Sequence, residues 1–80
     1  MQICLLLFAS YAEALGQSEL LLELPPGATA GDALAAVRAR PGAERLPPKP
    51  MLAVNLRYAP PGRVLAEGDE VALIPPVAGG

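Results

Sequence analysis

The chain has 80 residues, a net charge of −2 and a hydrophobic content of 52%, which together fit one small folded domain. It has one cysteine, one lysine, no histidine and no tryptophan. A self-contained hydrolase, metalloenzyme or redox enzyme would need more acid–base groups or metal ligands than this composition offers. The charges are scattered and form no basic face, which argues against nucleic-acid binding.

The apolar run at residues 2–8 predicts a strand buried on both faces. It contains Cys4, which has no second cysteine to pair with and no histidine to act as its base. We therefore expect Cys4 to be an inert core residue. The run lacks the positive segment of a secretory signal and is too short to cross a bilayer as a helix, so we predict a cytoplasmic protein with no membrane segment.

A short helix and a second strand are predicted next. Ser10 and Glu13 have the spacing of a capping box at the start of a helix over residues 11–15, and Gly16 supplies a left-handed stop. In residues 18–24 leucines alternate with glutamates. That alternation is typical of a strand with one buried face.

The main helix is predicted to start after Thr29, the expected N-cap, with Asp32 in its first turn. It should end near Arg40, because Pro41 and a glycine follow. Its expected apolar stripe consists of Ala30, Ala33, Leu34 and Val37. Residues 41–50 are rich in proline and predict a loop.

The second half predicts three further strand segments. Residues 51–55 form one strand, residues 56–58 are its short partner, and residues 70–74 form the last strand before two prolines. A tight turn precedes the last strand, in which Gly68 can take a positive φ. Glu67, with the two acidic residues that follow Gly68, is expected to be a solvated cluster, with steering toward a basic partner as the less favoured alternative.

These elements predict an α+β fold in which a mixed sheet of about five strands packs against one main helix, with an additional short helix. We expect the first two strands to be antiparallel and the last strand to lie beside the first. Residues 1–74 would form the domain and residues 75–80 a C-terminal tail. Of the aromatic residues, Phe8 is expected in the core and Tyr58 in an exposed interface patch.

The tail offers a chemical group of its own, the carboxylate of Gly80. Glycine has no Cβ, so an end formed by Gly79 and Gly80 can pass a narrow channel, while Pro75 and Pro76 stiffen the exit from the sheet. A carboxylate is a poor electrophile and must be activated, for example as an acyl-adenylate, before a nucleophile can attack it.

Three stretches carry a resemblance: "LLLFASYAEALG", "LAVNLRY" and "LAEGDEVALIPPVAGG". In this order they resemble the small sulfur-carrier subunits of molybdopterin synthase, a ubiquitin-like β-grasp family. The resemblance covers nearly the whole chain and is weakest at residues 41–50. Its most specific part is the "GDEV" turn together with the "PPVAGG" ending.

The resemblance implies a cycle of sulfur transfer through Gly80. An adenylyltransferase similar to ubiquitin-activating enzymes would use ATP to adenylylate Gly80, and a sulfur donor protein would convert it to a thiocarboxylate. The loaded tail would enter the large catalytic subunit of a heterotetramer and donate sulfur to cyclic pyranopterin monophosphate. The residues lining the partner's channel would be Pro75, Pro76, Val77, Ala78 and Gly79. The family's carriers imply no metal and no stably bound cofactor, and no catalysis by this chain alone.

Three alternative functions remain open on the sequence, one with similar chemistry and two from other classes. A carrier for thiamine thiazole synthesis shares the chemistry, although the segment Ser10–Gly16 and the "PPV" before the tail argue against it. A ubiquitin-like modifier would instead join Gly80 to a lysine of a target protein. A structural adaptor with an inert tail is the third alternative.

Overall fold

The chain folds into a five-stranded mixed sheet with two helices, as seen in a computed structural model that describes residues 1–46 and 50–75. The elements in chain order are β1 (Gln2–Leu7), α1 (Ser10–Leu15), β2 (Glu19–Glu23), α2 (Ala30–Arg38), a 3-10 turn (Ala43–Arg45), β3 (Met51–Val54), β4 (Arg57–Tyr58) and β5 (Glu70–Ile74). The predicted α+β class is confirmed. The predicted tail from Pro76 onward and residues 47–49 lie outside the described residues, so the tail's boundary stays a prediction.

The strand order in the sheet is β2-β1-β5-β3-β4. β1 pairs with β2 antiparallel and with β5 parallel, which confirms both expected neighbours of the first strand. β3 then pairs antiparallel with β5 on one side and with β4 on the other. β5 is thus the central strand, β1 and β3 flank it, and β2 and β4 form the two edges.

One face of the sheet carries the hydrophobic core, and both helices contribute side chains to it. Alternate residues of each strand point to this face because the side-chain period of a strand is two. The pattern predicted for β2 is confirmed, since Leu20 and Leu22 are buried and Glu19 and Glu23 are exposed. The fully buried side chains at the centre of the core are Ile3, Leu5, Tyr11, Val37, Val54, Val71 and Leu73.

The start of α2 is fixed by the predicted cap. The Thr29 hydroxyl oxygen accepts a hydrogen bond from the Asp32 amide at 3.2 Å, and the Asp32 carboxylate accepts one from the Thr29 amide at 2.8 Å. The Gly31 amide donates to the Pro61 carbonyl at 2.8 Å, and a Cβ at Gly31 would lie 3.2 Å from that same oxygen. The glycine therefore allows the loop before β5 to close over the helix N-terminus.

The predicted capping box at Ser10 is wrong. α1 begins at Ser10 itself, its N-cap is Ala9, and no side chain caps it. The Ala9 carbonyl accepts a hydrogen bond from the Glu13 amide, so the helix starts one residue earlier than predicted. Ser10 therefore lies inside the first turn, outside the N-cap position from which its hydroxyl could accept the Glu13 amide. The predicted stop is confirmed, because Gly16 is left-handed with φ of 72°.

The region after α2 differs from the prediction in two ways. α2 ends at Arg38 and not near Arg40, because the Arg40 amide donates to the Val37 carbonyl and so tightens the last turn. Ala43–Arg45 then form a 3-10 turn inside the segment predicted as a loop. The predicted turn before β5 is confirmed, since Gly68 has a φ of 81°.

Candidate functional site

The sheet face opposite the core, here called the open face, carries a row of small and apolar side chains. Register places Leu6 beside Ala72, Ala72 beside Ala53, and Ala53 beside Tyr58. The row crosses the sheet from β1 through β5 and β3 to β4. Its two central members are alanines, so the middle of the open face is lower than its margins.

This difference in side-chain size creates an apolar depression of about 220 Å³ on the open face. Ala53 and Ala72 form its floor, while Leu6 and Tyr58 stand on either side in the same row. The remaining lining residues are Phe8, Leu56, Glu70 and Ile74. A cavity lined mainly by apolar groups, with one carboxylate at its margin, is suited to an apolar side chain of another protein.

The two aromatic predictions have different outcomes. Tyr58 is 70% exposed, so its place in an exposed patch is confirmed. Phe8 is 45% exposed, so its predicted core position is wrong. Phe8 directly follows β1, and the alternation from Cys4 through Leu6 continues to it, which puts it on the open face. Both aromatic rings therefore line the same depression.

Cys4 also lies on the open face and is only half-buried, so the expected core position is wrong. A continuous apolar run cannot distinguish a strand covered on both faces from one covered on a single face. Partial burial, followed by the negative charges of Glu19 and Glu70, raises the pKa of the Cys4 thiol. A raised thiol pKa keeps the sulfur protonated near neutral pH and lowers its nucleophilicity.

The acidic turn before β5 has a structural role that the sequence did not reveal. The Asp69 carboxylate accepts hydrogen bonds from the Asn55 side-chain amide at 2.9 Å and from the Ala66 backbone amide at 2.8 Å. These two bonds, the Asn55 bond first, hold the pKa of Asp69 below its usual value. The Glu67 carboxylate accepts a hydrogen bond from the backbone amide of Gln2 at 3.0 Å. These carboxylates thus fasten the turn to the β3–β4 connection and to β1, so they are more than a solvated cluster.

β5 connects the open face to the predicted reactive end. Ile74, the last residue of β5, lines the depression, and Pro75 follows it in a half-buried position. The other predicted tail residues, Pro76, Val77, Ala78, Gly79 and Gly80, lie outside the described residues. Their roles therefore stay predictions.

A wider and more open groove of about 400 Å³ lies beside the β3–β4 edge. Its lining is also apolar and consists of Pro50, Met51, Leu52, Tyr58, Ala59, Pro60 and Pro61. Register pairs Met51 with Ile74, so this groove and the smaller depression both adjoin the end of β5.

In residues 1–46 and 50–75, no three cysteine, aspartate or glutamate side chains cluster closely enough to hold a metal ion. Within the same residues, no helix has the length and hydropathy needed to cross a membrane.

Two curated relatives match along almost the whole chain. A protein named molybdopterin synthase sulfur carrier subunit from Chlamydomonas reinhardtii is 40% identical over an alignment of 83 residues. This alignment covers 100% of this chain and 100% of the relative. A protein of the same name from Arabidopsis thaliana is 34% identical over 80 residues, which span 99% of this chain and 83% of the relative.

The solved structures match the same fold. The crystal structure of SAMP1, the small archaeal modifier protein 1 of Haloferax volcanii, has a TM-score of 0.83 and 31% identity, with both chains covered at 100%. A chain from the complex of subunits 1 and 2 of the molybdopterin-converting factor of Helicobacter pylori has a TM-score of 0.72 at 18% identity, again over 100% of both chains. The predicted ubiquitin-like β-grasp is thereby confirmed.

The model of the ThiS family matches residues 5–80. This range contains the second half of β1 and all of the other strands. The match agrees with the names of the two curated relatives. The chain therefore belongs to the ThiS family of ubiquitin-like sulfur carriers.

Proposed function

We propose that this protein is the sulfur-carrier subunit of a molybdopterin synthase and that its Gly80 carboxylate carries the sulfur. The two curated relatives that match along almost the whole chain bear that name. The structural observation that carries the proposal is the position of β5, which leads to Gly80 from the centre of the sheet and adds Ile74 to the depression on the open face. A partner docked on this face would lie next to the emerging tail.

The proposed chemistry begins with activation of the carboxylate. An oxygen of Gly80 attacks the α-phosphate of ATP, which forms an acyl-adenylate and releases pyrophosphate. Hydrosulfide supplied by a donor protein then attacks the acyl carbon, displaces AMP and leaves a thiocarboxylate. The thiocarboxylate sulfur attacks an electrophilic carbon of cyclic pyranopterin monophosphate, and a carbon–oxygen bond of that carbon breaks as the carbon–sulfur bond forms. Water then hydrolyses the resulting thioester, which leaves the sulfur on the pterin as a thiolate and returns Gly80 to a carboxylate. ATP binding and acid–base groups for these steps belong to the partners.

The length of the tail is sufficient for Gly80 to reach catalytic groups that lie in a partner protein. Six residues from Pro75 to Gly80 can extend about 20 Å at 3.3–3.6 Å per residue, which is long enough to enter a deep site of another protein. Residues 75–79 would then line the partner's channel, and the open face would remain outside it as the docking surface.

The proposed partners are a large catalytic subunit, an adenylyltransferase of the ubiquitin-activating type and a sulfur donor protein. A structural relative of this chain comes from a complex of subunits 1 and 2 of a molybdopterin-converting factor, which supports a large-subunit partner. The small subunit would be non-catalytic on its own. A heterotetramer and a cytoplasmic location complete the proposal.

The test is reconstitution with the activating enzyme, ATP and a sulfur source, followed by intact-mass measurement and transfer to the pterin precursor. We expect the mass change of one oxygen-to-sulfur exchange in the full chain. A variant lacking Gly80 and a variant with one residue added after Gly80 should stay folded by circular dichroism and carry no sulfur. Sulfur transfer by either variant would contradict the proposal.

A second candidate function is protein modification, which the likeness to SAMP1 favours. In that case the activated Gly80 carbonyl would form an amide with a target lysine. Incubation with activating enzyme and ATP in a cell extract would then produce larger covalent species that depend on Gly80. Sulfur carriage alone would produce none.

The thiamine route shares the activation step and differs in its acceptor. The relatives named for molybdopterin synthase favour the pterin route. Complementation of two strains, one lacking the molybdopterin carrier and the other lacking the thiamine carrier, separates the two routes. We expect rescue of the first strain.

A further inference from the structure

The hairpin between β3 and β4 contains a backbone conformation that its sequence does not favour. Asn55 and Leu56 form a two-residue connection closed by the pair of Val54 and Arg57, and their φ angles are 50° and 71°. Two positive φ values in such a loop define the turn type that prefers Asn followed by Gly. Asn55 fits, but the Cβ of Leu56 crowds the neighbouring carbonyl in this conformation.

The fold gains little from the Leu56 side chain in return for this strain. Leu56 is 88% exposed, the largest exposed fraction among the large apolar side chains of the described residues. The turn is held by Asn55, whose side-chain amide donates to Asp69 at 2.9 Å and whose side-chain oxygen accepts from the Glu70 amide at 3.0 Å. A glycine or asparagine at position 56 would leave both of these bonds intact. Strain that the surrounding fold does not need suggests a functional reason for the residue.

Leu56 stands at the margin of the depression on the open face. It lines this depression together with Tyr58 from the adjoining strand and Ile74 from the end of β5. A partner that receives the tail and docks on the open face lies beside Ile74 and therefore also beside Leu56. An exposed leucine fixed by a rigid turn needs little further ordering when it enters a pocket of that partner.

We propose that Leu56 is a specificity-determining contact for the large catalytic subunit, inserted into an apolar pocket of that subunit when the open face docks. This inference rests on the proposed function. The large subunit must hold the tail throughout the pterin chemistry, and burial of an apolar side chain lengthens residence mainly by slowing dissociation. The activating enzyme also receives the Gly80 carboxylate, so the rate of adenylylation is the comparison that shows whether Leu56 serves the large subunit alone.

Two substitutions at position 56 distinguish the effect of losing the apolar side chain from the effect of relaxing the backbone strain. Leu56→Asn removes the apolar contact and relaxes the backbone, because asparagine tolerates the left-handed region. Leu56→Met keeps an apolar side chain of similar size in the same conformation. Val64→Thr is the matched control. Val64 is also an exposed apolar residue, at 59%, but it lies outside the depression and forms an isolated β-bridge with Thr29.

The measurements are the thermal midpoint of the isolated carrier, its dissociation constant with the purified large subunit, and its rate of adenylylation. Leu56→Asn should raise the midpoint, weaken binding to the large subunit by about tenfold or more, and leave adenylylation near the wild-type rate. Leu56→Met and Val64→Thr should bind like the wild type.

Unchanged binding of Leu56→Asn, with a wild-type carrier that binds and transfers sulfur normally, would overturn this inference and leave the proposed function intact. Equal losses of large-subunit binding and adenylylation would also overturn it, because the residue would then serve both partners alike. Failure of the proposed function is a different result, in which the wild-type carrier itself does not bind the large subunit or transfer sulfur.

Discussion

Replacing Asp69 with asparagine should destabilise the domain by removing one charged acceptor from the turn before β5. The wild-type carboxylate accepts from the Asn55 side-chain amide at 2.9 Å and from the Ala66 amide at 2.8 Å. In Asp69→Asn the new amide oxygen can serve only one of these donors, and the new NH₂ group faces the other. Asn55 cannot rotate its amide to compensate, because its oxygen already accepts from the Glu70 amide.

The magnitude follows from these contacts. A hydrogen bond to a charged group contributes about 1.5–3 kcal/mol, and this site is near the low end because Asp69 is only partly buried and water can replace a lost partner. One bond is lost and the other changes from charged to neutral. We therefore expect a loss of about 1–2 kcal/mol in the free energy of unfolding, or roughly 5–15 °C in the thermal midpoint of a domain this small.

The same contribution should depend on pH. The hydrogen bonds to Asp69 lower its pKa in the folded protein, so its stabilisation is fully present above the unfolded pKa of about 3.9. It is lost as the pH falls through the lower, folded pKa, because a protonated carboxyl accepts these donors poorly. The stability difference between wild type and Asp69→Asn should be constant at neutral pH and shrink below about pH 4.

Urea unfolding of both proteins across this pH range measures the difference directly, since the other acidic groups are common to both. Glu67→Gln is the matched control. The wild-type Glu67 carboxylate accepts from the backbone amide of Gln2 at 3.0 Å, and the new amide oxygen can still accept that hydrogen bond. It should unfold close to the wild type. The reasoning is refuted if Asp69→Asn is as stable as Glu67→Gln, or if its deficit persists unchanged below pH 3.

Three further predictions test the core, a helix cap and the open face. Leu5→Ala should lower the free energy of unfolding by about 2–5 kcal/mol because Leu5 is fully buried, whereas Leu21→Ala, at a position 67% exposed, should change it by about 0.5 kcal/mol or less in chemical unfolding. Thr29→Ala should cost about 1 kcal/mol by thermal unfolding, since it removes the acceptor of the Asp32 amide, and an unchanged midpoint would contradict the role of this cap. Phe8→Ser should weaken binding to the large subunit in calorimetry with little loss of stability, because Phe8 is 45% exposed; a loss of stability as large as that of Leu5→Ala would instead place Phe8 in the core.

The sequence by itself determined the elements whose signals are local. Thr29 caps α2 because its hydroxyl oxygen accepts a hydrogen bond from a residue only three positions away. Gly16 and Gly68 take the left-handed conformation because they have no Cβ. The alternation in β2 correctly predicted its buried face. The motifs near the end of the chain indicated the family, whose fold the comparisons confirm, whereas the chemistry of the Gly-Gly ending stays a prediction.

The tertiary structure alone decided which face of each apolar strand is covered. Residues 2–8 are apolar throughout, so periodicity could not show that both helices pack on the side of Leu5 and leave Cys4 and Phe8 on the open face. The depression likewise depends on register, because Ala53 and Ala72 are far apart in the chain and become neighbours only when β3 pairs with β5. Local sequence determines which residues can form a strand, whereas strand pairing and helix packing determine which side chains remain available to a partner.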